Sequence, residues 1–156
     1  MATRKAQAIK FRELMEAASS YLIEEKPKTE SPSELADIMR PLVANLTQET
    51  FFVVMLNTKN RVISIDVATV GLVDRTQIHA REVFRGAIMK NASRIIICHN
   101  HPSGDPTPSS QDISATRNLI EAGKIIGIEV LDHLIMGKKT EKQYDDFLSF
   151  RQQSLL

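Results

Sequence analysis

The stretch from Arg94 to Asp112, R-I-I-I-C-H-N-H-P-S-G-D-P-T-P-S-S-Q-D, decides how the rest of the chain is read. It opens as a run of strand formers, Ile95-Ile96-Ile97-Cys98, and passes into His99 and His101, one residue apart. Alternate residues of a strand point to the same face, so the two imidazoles can aim at one point. The segment from Pro102 to Pro108 holds Gly104 and three prolines, a composition that favours a fixed turn. Such a turn can return Asp112 to the same point from the start of the next helix. Two neutral imidazole nitrogens and a carboxylate suit Zn²⁺. Three protein ligands leave a fourth tetrahedral position for water, which is the arrangement of a catalytic rather than a structural zinc. Cys98 is the one cysteine of the chain, so a cysteine-rich structural site is excluded. It alternates away from both histidines and is expected in the core.

Two plainer readings use the same residues. A histidine pair at a strand end can be no more than a polar loop. The spacing of Ser109 and Asp112 also matches a helix N-cap followed by an acidic N3 residue. That cap and a role beside a metal can coexist, because a helix N-terminus adds positive potential there.

The residues also fit the JAMM metal motif, H-x-H-x7-S-x2-D, with His99, His101, Ser109 and Asp112 at the required positions. The wider segment H-N-H-P-S-G-D-P-T-P-S, with the later E-A-G-K and L-D-H-L-I-M-G, resembles the RadC branch of the JAB/MPN domain family. The resemblance runs from about Ser31 to the C-terminus. It implies the cytidine-deaminase-like fold of MPN domains and a JAMM-type zinc peptidase or isopeptidase, in which water activated at one zinc ion per chain attacks an amide carbonyl. Such chemistry needs a carboxylate to carry the proton to the leaving group, and Glu49 and Glu82 compete for that role. JAMM enzymes place their catalytic glutamate just before the apolar strand, which selects Glu49 in Q-E-T-F-F. Glu82 has an alternative use as a first-turn helix residue. Ser109 would donate a hydrogen bond to the developing oxyanion. Asp105 is a poorer ligand than Asp112 and is expected to shape the turn. Asp132 and His133 read as strand residues making hydrogen bonds, with a role behind the metal ligands as the lesser alternative. The second functional reading is a RadC-type accessory protein associated with DNA repair, acting by binding. Full-length RadC proteins carry a helix-hairpin-helix segment ahead of this domain, and here an amphipathic segment stands in its place. Some MPN domains lose the metal residues and become scaffolds, whereas this sequence keeps the complete set.

At 156 residues with a hydrophobic fraction of 42% and 25% charged residues, the composition is that of a soluble globular domain with one substantial core. The formal net charge of +1 gives no strong pull towards nucleic acid or acidic membranes, and direct nucleic-acid binding is not expected. No apolar run is long enough to span a membrane. The N-terminus lacks the apolar core of a signal peptide, so the cytoplasm is the expected compartment.

The chain divides into an N-terminal amphipathic helix with its linker (1–30) and a RadC-like domain (31–156). In the first part, Phe11, Leu14, Met15, Ala18, Tyr21 and Leu22 form one apolar stripe over residues 4–25. That stripe can pack on the domain or on a second copy in a homodimer. Ser31-Pro32-Ser33-Glu34 predicts a capped helix start, with Pro41 breaking or kinking the helix. Thr50 to Asn57 and Arg61 to Val70 read as a β-hairpin. Ala80 to Lys90 reads as a helix capped by His79, with Val83, Phe84, Ala87 and Ile88 inward. A helix from Ser110 to Ala122 is expected to stop at Gly123. Strands follow at Ile128 to Met136 and Phe147 to Phe150. The order predicts an α/β fold, a mixed sheet sandwiched by helices.

Overall fold

A computed structural model of the chain describes residues 27–71, 78–141, 143 and 145–156. The amphipathic stripe read over residues 4–25, and most of the loop between Gly71 and Ile78, lie outside the described residues. Three helices, α1 (Pro32–Val43), α2 (Ala80–Met89) and α3 (Ser110–Ile126), accompany five strands, β1 (Thr50–Leu56), β2 (Val62–Val70), β3 (Arg94–Asn100), β4 (Glu129–Met136) and β5 (Phe147–Ser149). The strands form one sheet in the order β2-β1-β3-β4-β5. The β3–β4 pair is parallel and the other pairs are antiparallel, so the sheet is mixed as expected.

β1 lies inside the sheet and is buried along its whole length, which accounts for its unbroken apolar run. Phe52, Val54 and Leu56 face one way with Ile96 and Cys98, and α1 covers them with Leu35, Ala36, Ile38 and Met39. Phe51, Val53 and Met55 face the other way with Ile95 and Ile97, beneath Val83, Phe84 and Ala87 of α2 and Leu119 of α3. His99 shares the parity of Ile95 and Ile97, so β3 delivers it to the α2–α3 side. Cys98 is fully buried on the α1 side, away from the histidines.

Several boundaries differ from the reading of the sequence. α1 starts on the Ser31–Glu34 capping box but continues through Pro41 to Val43. Pro41 is exposed in the last turn, where the carbonyl left without a partner can face water. Ile88 is 55% exposed rather than inward. α3 does not stop at Gly123. It runs one turn further and ends at Gly127, which adopts the left-handed conformation at φ 81° and donates its N–H to the Gly123 carbonyl. Gly123 serves packing instead, since a Cβ there would stand 2.5 Å from the Ile128 carbonyl and 3.2 Å from the Phe84 ring. Among the described residues no helix is long and apolar enough to cross a membrane.

Candidate metal centre

The C-terminal end of β3, the N-terminus of α3 and the segment leading into β1 meet at one end of the sheet. One ligand atom from each of Glu49, His99, His101 and Asp112 lies within 4.8 Å of the others. Three of these residues are local in sequence and one is not, and each is placed by a separate device.

His99 is fully buried at the end of β3. Its ring stacks on Phe51 at a centroid distance of 5.8 Å. His101 follows one residue beyond the strand and continues the β4 pairing, donating its backbone N–H to the Met136 carbonyl at 2.9 Å. The two Nε2 atoms are 2.9 Å apart. The loop after His101 folds back so that the Asp105 carbonyl sits 2.7 Å from His101 Nδ1. A carbonyl only accepts, so Nδ1 carries the hydrogen and neutral His101 turns its Nε2 lone pair inward. The Asp105 carboxylate accepts from the N–H and the hydroxyl of Thr107, which closes the turn, and Asp105 lies outside the cluster. Gln143 fastens the same loop from outside, its amide donating to the Gly104 and Lys138 carbonyls.

Ser109 is the N-cap of α3. Its hydroxyl accepts from the Asp112 N–H at 3.1 Å and lies 2.7 Å from Asp112 Oδ2, to which it donates. The Ser109 N–H donates to that same oxygen. The cap reading of Ser109 therefore describes its contacts, and the cap is what turns the Asp112 carboxylate towards the histidines. Asp112 Oδ1 is 3.5 Å from His99 Nε2 and Oδ2 is 3.6 Å from His101 Nε2. Burial pushes the Asp112 pKa up, but the hydrogen bonds and charge of His101, His99 and Ser109 outweigh it and hold the carboxyl well below the usual range. For His101, burial acts downwards, while Asp112, the Asp105 carbonyl and Glu49 together raise its pKa.

Glu49 is half-buried just ahead of β1 and joins the cluster, whereas Glu82 does not. Glu82 is exposed at the start of α2 and accepts the N–H of His79, the N-cap residue, at 3.3 Å. The device that places Glu49 is Asn100, the residue between the two histidines. Asn100 is buried; its Oδ1 accepts from Thr50 N–H at 2.8 Å and its Nδ2 donates to the Gln48 carbonyl at 3.1 Å. It thereby grips the backbone on both sides of Glu49. In the H-x-H spacing Asn100 is the unspecified residue, and its burial is what requires these backbone partners.

His133 makes hydrogen bonds, as expected of it from the sequence. Its Nε2 lies 2.8 Å from His99 Nδ1, directly behind a candidate ligand. Asp132 points to the other side of the sheet, where it accepts from Ser149 Oγ and Arg151 N–H. A cleft of about 640 Å³ opens beside the cluster, lined by Gln48, Glu49, His101, Pro102, Asp105 and Ser109 among others.

A sequence model described as the RadC-like JAB domain matches residues 29–155. The chain belongs to the RadC-like JAB domain family. It is 41% identical over 150 residues to a UPF0758 protein of Caldanaerobacter subterraneus subsp. tengcongensis, covering 91% of this chain and 64% of that protein. A UPF0758 protein of Symbiobacterium thermophilum is 44% identical over 126 residues, with 81% of this chain and 51% of the relative covered. A third, from Clostridium acetobutylicum, is 42% identical over 134 residues, covering 86% and 58%. This RadC-like chain thus spans between half and two thirds of the length of these relatives. Its family and its Glu-His-His-Asp cluster fit a JAMM-like metallohydrolase.

Proposed function

We propose that this RadC-like domain is a zinc-dependent hydrolase of amide bonds, a peptidase or isopeptidase, with a protein or peptide as substrate. The observation that carries the reading is the convergence of Glu49, His99, His101 and Asp112 beside the cleft. The donor set fits zinc. Donors on a tetrahedral zinc with bonds of 2.0–2.1 Å stand about 3.3 Å apart; here the two Nε2 atoms are 2.9 Å apart, and each has one oxygen of the Asp112 carboxylate near it, Oδ1 at 3.5 Å from His99 and Oδ2 at 3.6 Å from His101. An ionised carboxylate and an inward lone pair facing a second imidazole nitrogen form an electron-rich pocket that calls for a cation at its centre.

His99, His101 and Asp112 would hold the ion. When bound, zinc supplies a Lewis acid and lowers the pKa of water to about 7. Glu49 stands beside these three residues, in the segment just ahead of β1. Its carboxylate can take a proton from the attacking water and hand it to the leaving nitrogen. Ser109 would turn its O–H from Asp112 to the carbonyl oxygen as charge grows there. Its hydroxyl oxygen can keep accepting the Asp112 N–H while it does so, and the helix start stays capped.

The test is metal analysis of the purified chain together with hydrolysis of a library of peptides that includes lysine isopeptides. About one zinc per chain is expected, with cleavage that stops on chelation and returns when zinc is restored. Protein without zinc in the absence of chelators, or cleavage indifferent to chelation, overturns the reading.

A further inference from the structure

Behind His99 lies a buried chain of hydrogen bonds whose direction is fixed by its far end. Thr116 Oγ1, on the inner face of α3, is 2.6 Å from the carbonyl of Asp112 one turn earlier and 2.6 Å from His133 Nδ1. The carbonyl has only lone pairs, so the single hydroxyl hydrogen of Thr116 goes there. The bond to His133 then needs the hydrogen on Nδ1 of the ring. Neutral His133 is left with a bare Nε2, which accepts across the 2.8 Å contact from His99 Nδ1–H. His99 in turn keeps no hydrogen on Nε2, the nitrogen that faces His101 and Asp112.

The rings are held in place by their packing. His99, Thr116 and His133 are each 1% exposed or less. His133 stacks on Phe150 at 4.6 Å and meets Phe51 edge-on at 5.7 Å, while Phe51 also stacks on His99. With the rings reversed, the Thr116 hydrogen would turn to His133 Nδ1 and leave the 2.6 Å approach of its oxygen to the Asp112 carbonyl without a hydrogen between them. The sheet itself is built to allow the contact. β4 is irregular where the pairing steps from Ile95↔Val130 to Ile96↔Asp132. That extra residue reverses the parity after Val130 and brings His133, not Asp132, to the α3 side.

We propose that His133 and Thr116 are positioning residues that lock His99 in the Nδ1–H tautomer and so present its Nε2 lone pair to the metal. The proposal rests on reading His99 as a metal ligand. It differs from the common arrangement, in which a ligand histidine leans on a carboxylate or a backbone carbonyl. Here the support is a neutral imidazole, and the carbonyl that sets the direction belongs to Asp112. One candidate ligand's backbone thus dictates the tautomer of another.

The test uses the full chain, ¹⁵N-labelled and metal-free, with the ring nitrogens of His99 read by long-range ¹H–¹⁵N correlation, followed by zinc titration against a competing chelator. The wild type should show His99 protonated on Nδ1. Thr116→Val removes the acceptor for His133 Nδ1–H, so His133 moves its hydrogen to Nε2 and His99 moves its own to the metal side. Zinc affinity should then fall ten- to a hundredfold, and Thr116→Ser should restore both readouts. If Thr116→Val does not fold, Thr116→Ala carries the test, because it too removes the acceptor for His133 Nδ1–H. An Nε2–H tautomer in the wild type, or a Thr116→Val or Thr116→Ala protein unchanged in tautomer and affinity, overturns the proposal. A wild type that shows the Nδ1–H tautomer but takes up no zinc instead overturns the hydrolase reading and leaves the hydrogen-bond relay standing.

Discussion

Glu49 and Glu82 are carboxylates of the same chemistry in different surroundings: Glu49 joins the cluster with the histidines, and Glu82 stands at the start of α2. Glu49→Gln keeps the shape and removes the proton carrier, so the variant should fold and retain zinc while turnover drops at least ~10²-fold. Glu82→Gln should leave turnover nearly intact and cost only ~0.3–1 kcal/mol at the start of α2. Measuring turnover and zinc content of both variants decides it, and a dead Glu82→Gln beside an active Glu49→Gln would mean the wrong glutamate has been assigned. Asn100 supports a second prediction. Asn100→Ala strips partners from Thr50 N–H and the Gln48 carbonyl, at a cost of about 1–3 kcal/mol for buried groups left unpaired. It should also depress kcat more than zinc affinity, because the grip it loses is on the Glu49 segment and not on the histidines. Equal losses in both would show that Asn100 only supports the strand. At this scale the sequence was legible where geometry is local. His99 and His101 need only strand alternation, and Asp112 needs only a turn and a cap. Glu49 came through family resemblance, since pairing β1 beside β3 is not written in its neighbours. The contact of His133 with His99 is not legible, because strict alternation from Val130 sends it to the other face, and a one-residue irregularity in the pairing leaves no mark in composition.

At the scale of elements, the most instructive disagreement concerns the end of α3. Glycine near a helix terminus reads as a stop, and two glycines were available. Gly127 has the positive φ of a stop and nothing within 4 Å of its missing Cβ, while Gly123 has a crowded environment inside the helix. Gly127→Ala should therefore cost only about 1–2 kcal/mol for the left-handed backbone. Gly123→Ala would gain roughly 1 kcal/mol of helix propensity, but it must push α3 away from the Ile128 carbonyl and the Phe84 ring. Overpacking of that kind costs about 1–3 kcal/mol or more, and a shift of α3 also moves Asp112. Urea unfolding should find the Gly123 variant no more stable than wild type, and its zinc affinity should fall while that of Gly127→Ala stays unchanged. A Gly123→Ala protein more stable than wild type would refute the packing account. The hairpin, the capping box of α1 and the mixed sheet were legible because each depends on short-range pattern. The length of α3 and the exposure of Ile88 near the end of α2 were not, because both depend on which neighbour happens to sit opposite.

For the molecule as a whole, charge and metal make opposite demands on what it can bind. The net charge of +1 offers no field that gathers phosphates, so this chain alone should not bind duplex DNA tightly. Submicromolar affinity at physiological salt, falling steeply as salt rises in the way many phosphate contacts require, would contradict that. Zinc should act on global stability, because its candidate ligands tie β3, the loop after it and α3 together at one end of the sheet. A ligand that binds only the folded state stabilises it by about 4 kcal/mol when present at a thousand times its Kd, which in a domain of this size raises Tm by roughly 8–16 °C. His99→Ala should abolish the gain. The pH dependence has a definite sign. Zinc must displace the proton that His101 holds, and its neighbours raise that pKa, so the metal-free site keeps its proton to a higher pH than an ordinary histidine. Asp112, with its pKa well depressed, remains ionised throughout and contributes nothing to the slope. The zinc-induced rise in Tm should therefore be full above the raised His101 pKa and shrink as pH falls through it. Thermal unfolding with and without zinc, across a pH series on either side of neutrality, measures this directly. A rise in Tm that is the same at every pH, or that survives in His99→Ala, would place the stabilising metal somewhere other than this cluster.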